Sequence, residues 1–289
     1  MVNPNSIPVE PDGLGPRVQS WIGAWQPFTG RGAAAFADAG SVRAIVFHLV
    51  MVIASCGTAS WTLSQSWVPA VIRAVDRLPD STAEIRAGHF TWPDRESVVL
   101  GETPQFGVAV NPTGHSSPGQ VADLQMEFRP AELRINGLTG HLSLVYPNEL
   151  VVGLDRVAGR AAWEAWFWAI AVVTITALFG FFASLGWAGA TVMALPVWLI
   201  GLLANRSLSF PGAWRLGLVC WVPAALLLNL GLWGYSRNWL HLVGLAGCAV
   251  GHLLVWMAWV LWSIIERPRR PKEVAKEPPN PFRTSASSR

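Results

Sequence analysis

Charge is what this sequence has least of. Only 13% of its 289 residues are Asp, Glu, Lys or Arg, about half the share of an ordinary soluble domain, roughly 25%. A net charge of +3, with basic residues scattered or set beside apolar runs, supplies no field for nucleic acid, so no nucleic-acid partner is expected. Cysteine is equally scarce. Cys56, Cys220 and Cys248 each lie inside an apolar run, without a CxxC or any partner spacing, and read as small buried hydrophobes. No Walker pattern and no GxGxxG after a strand offers a phosphate cradle. No HxH or HExxH offers metal ligands, and no GxSxG offers a nucleophile elbow. These absences lead to the expectation of no cofactor, no metal and no catalytic residues. No internal repeat is visible. No apolar core follows Met1, so a cleaved signal peptide is not expected.

What is abundant is apolar sequence. Hydrophobic residues make up 52% of the chain, mean hydropathy is +0.35, and there are 17 tryptophans. A helix needs about 20 apolar residues to cross the hydrocarbon core of a bilayer. Five runs approach that length: Ala44–Val68, Ala161–Ser184, Trp187–Ala204, Ala213–Gly234 and Leu240–Ile265. The second and third read as a tight hairpin turning at "SLGWAG". The third is short and holds Pro196. Trp61, Trp67, Trp163, Trp166, Trp214, Trp233, Trp239, Trp259 and Trp262 cluster at segment ends, where indole rings settle at the membrane–water interface. The fold class predicted is therefore an α-helical multi-pass membrane protein of about five transmembrane helices, its first partner the lipid bilayer. In the N-terminal segment 1–43, Trp21, Trp25 and Phe28 recur at helical spacing. They suit a short helix lying on a bilayer or, equally, a loop packed on the bundle.

Between transmembrane helix 1 (44–68) and helices 2–5 (161–265) lies the polar stretch 73–160. Short runs such as "SVVLG" and "QFGVAVNP" are punctuated by Pro and Gly, and "DLQMEF" puts Leu124, Met126 and Phe128 on one face. Asn136-Gly137 separates two apolar runs and favours a type I′ hairpin tip. The prediction is a small inserted β-rich soluble domain, mostly antiparallel, of about 80 residues, with a thin core that leans on the membrane helices. The tail 266–289 is rich in Pro, Lys, Arg and Ser and reads as disordered.

One helix, a β-rich insert and a further helix cluster resemble the DUF1189 family of Yip1-like bacterial membrane proteins. The local likeness lies in "AEIRAGHFTWPDRESVVLGETPQFGVAVNPTG" followed by "DLQMEFRPAELRINGLTGHLSLVYP". Asn111-Pro112 stands where the family tends to carry an acidic residue and a threonine. The resemblance implies a bacterial inner (cell) membrane and no catalytic residues.

Inside the membrane segments a few residues stand out. Gly244, Gly247 and Gly251 form a small-residue stripe, which in membrane helices lets a neighbour approach closely. His252 beside it and Asn229 in the preceding segment are polar groups in hydrocarbon, where such groups turn inward. They offer either a proton- or ligand-responsive site or a neutral histidine bonded to a neighbouring helix. His48 is the other intramembrane histidine. No acid lies deep in any segment and Glu164, close to the start of the second, is the only candidate, so no proton relay is laid out. His89, His115 and His141, with Asp94 and Asp123, read as surface or loop residues without triad geometry.

The function expected is a non-enzymatic accessory or scaffold protein of a membrane system, with other membrane proteins as partners. The alternative is a small-solute transporter or its subunit, kept open by Pro196 and Pro223. Five crossings place the β domain on the tail's side. That side would hold Arg73, Arg77, Arg156, Arg160, Arg206, Arg215, Arg267, Arg269, Arg270, Lys272 and Lys276, against Arg31, Arg43 and Arg237. The positive-inside bias then puts tail and domain in the cytoplasm. If the third run only dips into the membrane, four crossings leave the tail inside and the domain outside.

Overall fold

The computed structural model describes residues 26–81, 83–115 and 119–270. Three helices come first: α1 (Gly30–Ala35), α2 (Ser41–Ser66) and α3 (Val68–Asp76). Eight short strands follow: β1 (Glu84–Arg86), β2 (His89–Thr91), β3 (Val98–Glu102), β4 (Phe106–Val110), β5 (Leu124–Phe128), β6 (Glu132–Gly137), β7 (Gly140–Val145) and β8 (Val151–Gly153). Three long helices close the chain: α4 (Arg156–Leu203), α5 (Phe210–Ser236) and α6 (Leu242–Ile265). Among the described residues, four helical stretches are long and apolar enough to cross a membrane: Ser41–Asp76, Arg156–Leu203, Phe210–Ser236 and Leu242–Ile265.

Four replaces the five predicted, because "SLGWAG" is helix interior and not a turn. The second and third runs are one helix, α4, of 48 residues. Its glycines serve close contact. A Cβ on Gly186 would stand 2.9 Å from both ring nitrogens of His48, and one on Gly189 would stand 3.2 Å from the Trp256 ring. Ala190 packs along Gly217 of α5. In membrane helices small residues mark such approaches; in water the same letters read as a turn. Helix α4 starts on an Asp155 side-chain cap to Ala158 N (2.8 Å), and α5 starts on a Ser209 cap with Pro211 in its first turn. Both are ordinary N-terminal signals.

Helix α5 is the centre of the bundle and packs against α2, α4 and α6. Its buried face, with Leu216, Val219, Cys220 and Val222, meets Ala190 and Val197 of α4 and Trp256, Val260 and Ile264 of α6. The outward faces carry residues such as Ile53, Val172, Phe181 and Leu254, all exposed in the protein alone, as suits a surface solvated by lipid.

The β domain has two sheets, ordered β3-β4-β5-β6-β7 and β2-β1-β8. All pairings are antiparallel except β4–β5, which is parallel. The core draws on α3. Ala70, Ala74 and Leu78 pack with Ile85, Phe90, Leu100, Phe106 and Tyr146. A Cβ on Gly101 would stand 2.7 Å from the Ala74 nitrogen, so the sheet lies directly on the helix backbone. The domain thus reaches back to Ala70, before the predicted boundary at residue 73. The predicted hairpin is present, but its tip is Leu138-Thr139, since Gly137 pairs with Gly140. Asn136 stays in the strand because its amide donates to the buried Glu127 carboxylate (3.2 Å). Leaving that carboxylate short of a donor would cost more than an Asn-Gly turn preference returns.

The domain stands at one end of the bundle. There Thr103 Oγ1 donates to the Ser66 carbonyl (2.7 Å), α4 begins, and α5 ends. The opposite end gathers α1, the α4–α5 loop and the start of the tail. Arg267 is buried and donates to Asp38 (2.6 and 2.9 Å), Ala34 O (3.1 Å) and Ser207 O (2.6 and 2.9 Å). Ser207 N donates to Pro268 O and Arg270 N to Asn205 O. The tail was predicted disordered from residue 266; Glu266–Arg270 is instead bonded to this loop. Residues 271–289 lie outside the described residues, as do Trp21 and Trp25. Domain and tail occupy opposite ends of the helices, which corrects the arrangement that followed from five crossings.

Candidate functional site

The intramembrane residues singled out in the sequence do not form one site. His252 is buried edge-on against Trp221, with ring centroids 4.3 Å apart, and no partner reaches its Nε2 among the described residues. Asn229 lies elsewhere, in a groove between α2 and α5 with Ala54, Thr58, Trp61 and Trp233. Its Oδ1 also lacks a partner among the described residues. His252 is not among the residues of that groove. The glycine stripe is not the tight contact either. A Cβ on Gly247 meets nothing within 4 Å, one on Gly244 meets only Leu240, and one on Gly251 stands 3.2 Å from Leu227. The close α5–α6 approach uses Gly231 of α5, whose Cβ would stand 2.7 Å from that of Cys248. His48 is fully buried against Gly186, with Nε2 3.4 Å from the Ala183 carbonyl. Pro196 and Pro223 lie inside helices that continue through them.

An apolar concavity lies at the seam between bundle and β domain. It measures about 590 Å³, within the range of small-molecule sites, about 300–1,000 Å³. Ala59 and Leu63 of α2, Leu178 and Phe182 of α4, Leu232 of α5, and Leu242, Leu245 and Ala246 of α6 form its apolar wall. The hairpin tip Gly137-Leu138-Thr139 closes it from the domain side. Its polar groups include Thr62, Gln105, Asp123, Thr139 and Tyr235, and among the described residues Asp123 is the only charged one in the lining.

Local sequence places each of these. Trp67, at the junction of α2 and α3, stacks on Phe106 with centroids 4.7 Å apart, which sets β4 over the helix end. Gln105, just before β4, is buried. Its amide donates to the Tyr235 carbonyl (3.0 Å) and to Asn238 Oδ1. Asn238 adopts φ +60 just past the end of α5, a left-handed position that asparagine tolerates. Tyr235 and Asp123 line the same end of the site. Thr62 donates to Leu232 O (3.3 Å). The site offers an apolar body one carboxylate and a small set of hydrogen-bonding groups at one end. Sequence reading noted Asp123 only as a neighbour of histidines and passed over Gln105 and Tyr235. No spacing links Gln105 to Tyr235 across 130 positions.

Within the domain, a second polar cluster is self-contained. Glu127 is buried on the sheet face opposite Met126 and Phe128. It accepts from Asn111 (2.7 Å), Asn136 (3.2 Å) and Arg129 (3.4 Å). Asn111 Oδ1 in turn accepts from Ser97 (3.2 Å) and Gly114 N (2.9 Å). With its donors supplied, this carboxylate fixes the β4–β5 crossover rather than presenting itself to a ligand. Hydrogen bonding by Arg134 holds the Glu132 carboxyl below its usual range. Burial pushes the Tyr146 hydroxyl up to about 12.

His89 lies on β2, His141 on β7, and His115 in a shallow pocket with Trp92, Asp94 and Arg95. They do not converge. Ser116 and Ser117, beside His115, lie outside the described residues. Among the described residues no group of three or more His, Cys, Asp or Glu is placed to share a metal ion. No family model, curated protein or solved structure matches this chain.

Proposed function

We propose that this chain is a multi-pass protein of a bacterial inner membrane that acts without catalysis, as an accessory or scaffold component presenting its β domain to other membrane proteins. The observation that carries the reading is the continuous attachment of domain to bundle. Helix α3 is both the extension of an apolar helix and the core of the domain, and Gln105 ties the sheet to the end of α5. Regular structure crosses the boundary where a flexible linker would stand in an independently moving module. The resemblance to the Yip1-like DUF1189 family in helix–insert–helix order fits the same reading.

The distribution of arginine supports a sidedness. The end bearing the tail holds Arg31, Arg43, Arg206, Arg215, Arg267, Arg269 and Arg270. Close to the helix ends, the domain side holds Arg73, Arg77, Arg156, Arg160 and Arg237, while Arg86, Arg95, Arg129 and Arg134 lie within the folded domain and are not counted by a rule that weighs membrane-flanking residues. The excess favours a cytoplasmic tail and a β domain on the other face. Single cysteines at Glu149 in the domain and Ala204 in the α4–α5 loop, in a background lacking the three native cysteines, test this. An impermeant maleimide applied to intact cells should label the first and not the second, and the reverse would overturn the sidedness. Photo-crosslinking from the domain in native membranes should return the same membrane protein in stoichiometric yield. A purified protein that drives solute uptake into proteoliposomes would overturn the scaffold reading in favour of transport.

A further inference from the structure

We infer that the seam cavity is a binding site for one phospholipid, holding an acyl chain among the helix leucines and an ammonium head group, as in phosphatidylethanolamine, at Asp123. The inference rests on the membrane reading above. It goes beyond contact with bulk lipid, because it assigns a defined site with a head-group preference.

Position, shape and charge carry it together. The walls come from helices that otherwise face lipid. Ala246 on the rim is exposed, next on its helix face to Val243 and Val250, which point outward. The mouth is therefore continuous with the surface that acyl chains cover, and a chain can enter sideways without crossing water. The occupant must also match the polar end. There the cavity offers one carboxylate, half-buried, beside Tyr235. A carboxylate has room for several donors, and in a poorly solvated site a charge is strongly selective for its opposite. A phosphoglycerol head, with no cation, finds only like charge there; an ethanolamine ammonium finds its counter-ion. No Lys or Arg lines the cavity to reverse that preference. The described N-terminal residues lie at the far end of the bundle, and the hairpin tip already forms the roof. A lipid of the surrounding bilayer is the amphiphile at hand.

The test uses the full-length protein in nanodiscs of equal phosphatidylethanolamine and phosphatidylglycerol, followed by native mass spectrometry. The wild type should keep one phosphatidylethanolamine in preference to phosphatidylglycerol. Ala246→Trp, which fills the rim, should lower that occupancy about tenfold, the loss of roughly one good contact. Asp123→Asn keeps the shape, so it should retain a lipid but lose about tenfold of head-group preference, the worth of one charge-assisted bond. Asp123→Lys should invert the preference. Equal retention by wild type and Ala246→Trp, or a wild-type preference untouched by both Asp123 changes, would overturn the inference. If Ala246→Trp does not fold, the Asp123 pair alone decides it. Carbonate extraction separates the levels: a chain released from membranes refutes the membrane reading, whereas an embedded chain without selective retention refutes only the lipid site.

Discussion

Adding one methyl group at Gly186 should destabilise the bundle, while the same change at Gly247 should not. Both glycines lie inside long apolar α-helices, so their intrinsic gain on becoming alanine is the same, up to about 1 kcal/mol. Their surroundings differ. At Gly186 the new Cβ would come within 2.9 Å of two ring atoms of His48, a side chain with no exposed surface. Ordinary contact between carbon atoms is about 3.5–4.0 Å and the His48 Cε1 lies nearer to the new Cβ than either ring nitrogen, so the ring must withdraw by well over ~1 Å into a packed interior. Overpacking of this kind costs about 1–3 kcal/mol, and the propensity gain leaves a net loss of about 1–2 kcal/mol. At Gly247 nothing lies within 4 Å, so the full propensity gain remains. Thermal unfolding in detergent, followed by a thiol-reactive dye that reads exposure of Cys56 and Cys220, should give Gly186→Ala a Tm lower by a few degrees. Gly247→Ala should leave Tm unchanged or raised. A double-mutant cycle sharpens the result: in a His48→Ala background the Gly186→Ala penalty should vanish, since its cause is that ring. An equal effect of the two single changes, or a Gly186→Ala penalty that survives removal of His48, would refute this account of α4.

Gln105→Ala should cost about 0.5–1.5 kcal/mol, because it removes the bonds to the Tyr235 carbonyl and the Asn238 side chain while the carbonyl keeps its helix-end donor, and should speed amide exchange in β4 and the end of α5; unchanged exchange would refute the seam as the joint. Arg267→Ala should cost about 1.5–3 kcal/mol through its bonds to the Ala34 and Ser207 carbonyls, whereas Asp38→Ala, whose carboxylate is 68% exposed, should cost under about 1 kcal/mol. Equal losses in paired melts would show that the ion pair matters more than the carbonyl bonds. Glu127→Gln keeps the shape but turns an amide donor toward Asn111, Asn136 and Arg129, so urea melts should show a loss of about 1–3 kcal/mol. Tyr146 has a folded pKa of about 12 against an ordinary 10.0. The unfolded chain ionises first as pH rises, so stability falls between those values. Tyr146→Phe should lack that part of the alkaline decline in a pH series of melting curves.

The β domain was legible where strands alternate and where turns carry Pro or Gly. "DLQMEF" forms β5 with Leu124, Met126 and Phe128 on the core side, and the hairpin after it pairs as predicted apart from its tip. The shift at the tip was not legible, because it depends on Glu127, nine positions before Asn136, being buried with a place for that amide. The parallel β4–β5 pair was not legible either, since its crossover is held by Asn111 and Arg129 bonding across the loop. In the bundle, apolar content located the helices but not their faces. The amphipathic signal of a water-soluble helix is missing when both lipid and core are apolar. That is why the glycine stripe of α6 drew attention, while of the glycines in contact Gly186 passed for a turn letter and Gly231 was marked by no pattern.

The lengths of the apolar helices bear on how the β domain is held. At 1.5 Å per residue, α4 is about 72 Å long and the α2–α3 pair about 54 Å, against a hydrocarbon core of about 30 Å. Neither length is needed to cross. Part of the surplus is taken up by the domain: Arg156 at the first turn of α4 pairs with Asp80 (3.3 Å), and Gly159 packs on Leu78 of the domain core. The β domain is therefore carried on two helices that leave the bundle, with a third attachment through Gln105 to α5. With these attachments in place, a rigid tilt of the domain would have to bend α4 or break the Gln105 bonds. The cavity at the base of these attachments lies where any change in domain seating would be felt first, because its roof is the hairpin tip and its walls are the helix ends. Occupation of that cavity and the seating of the domain are thus one equilibrium: whatever fills the space among Leu138, Leu178 and Leu245 favours the seated state over any tilted one that would open the seam.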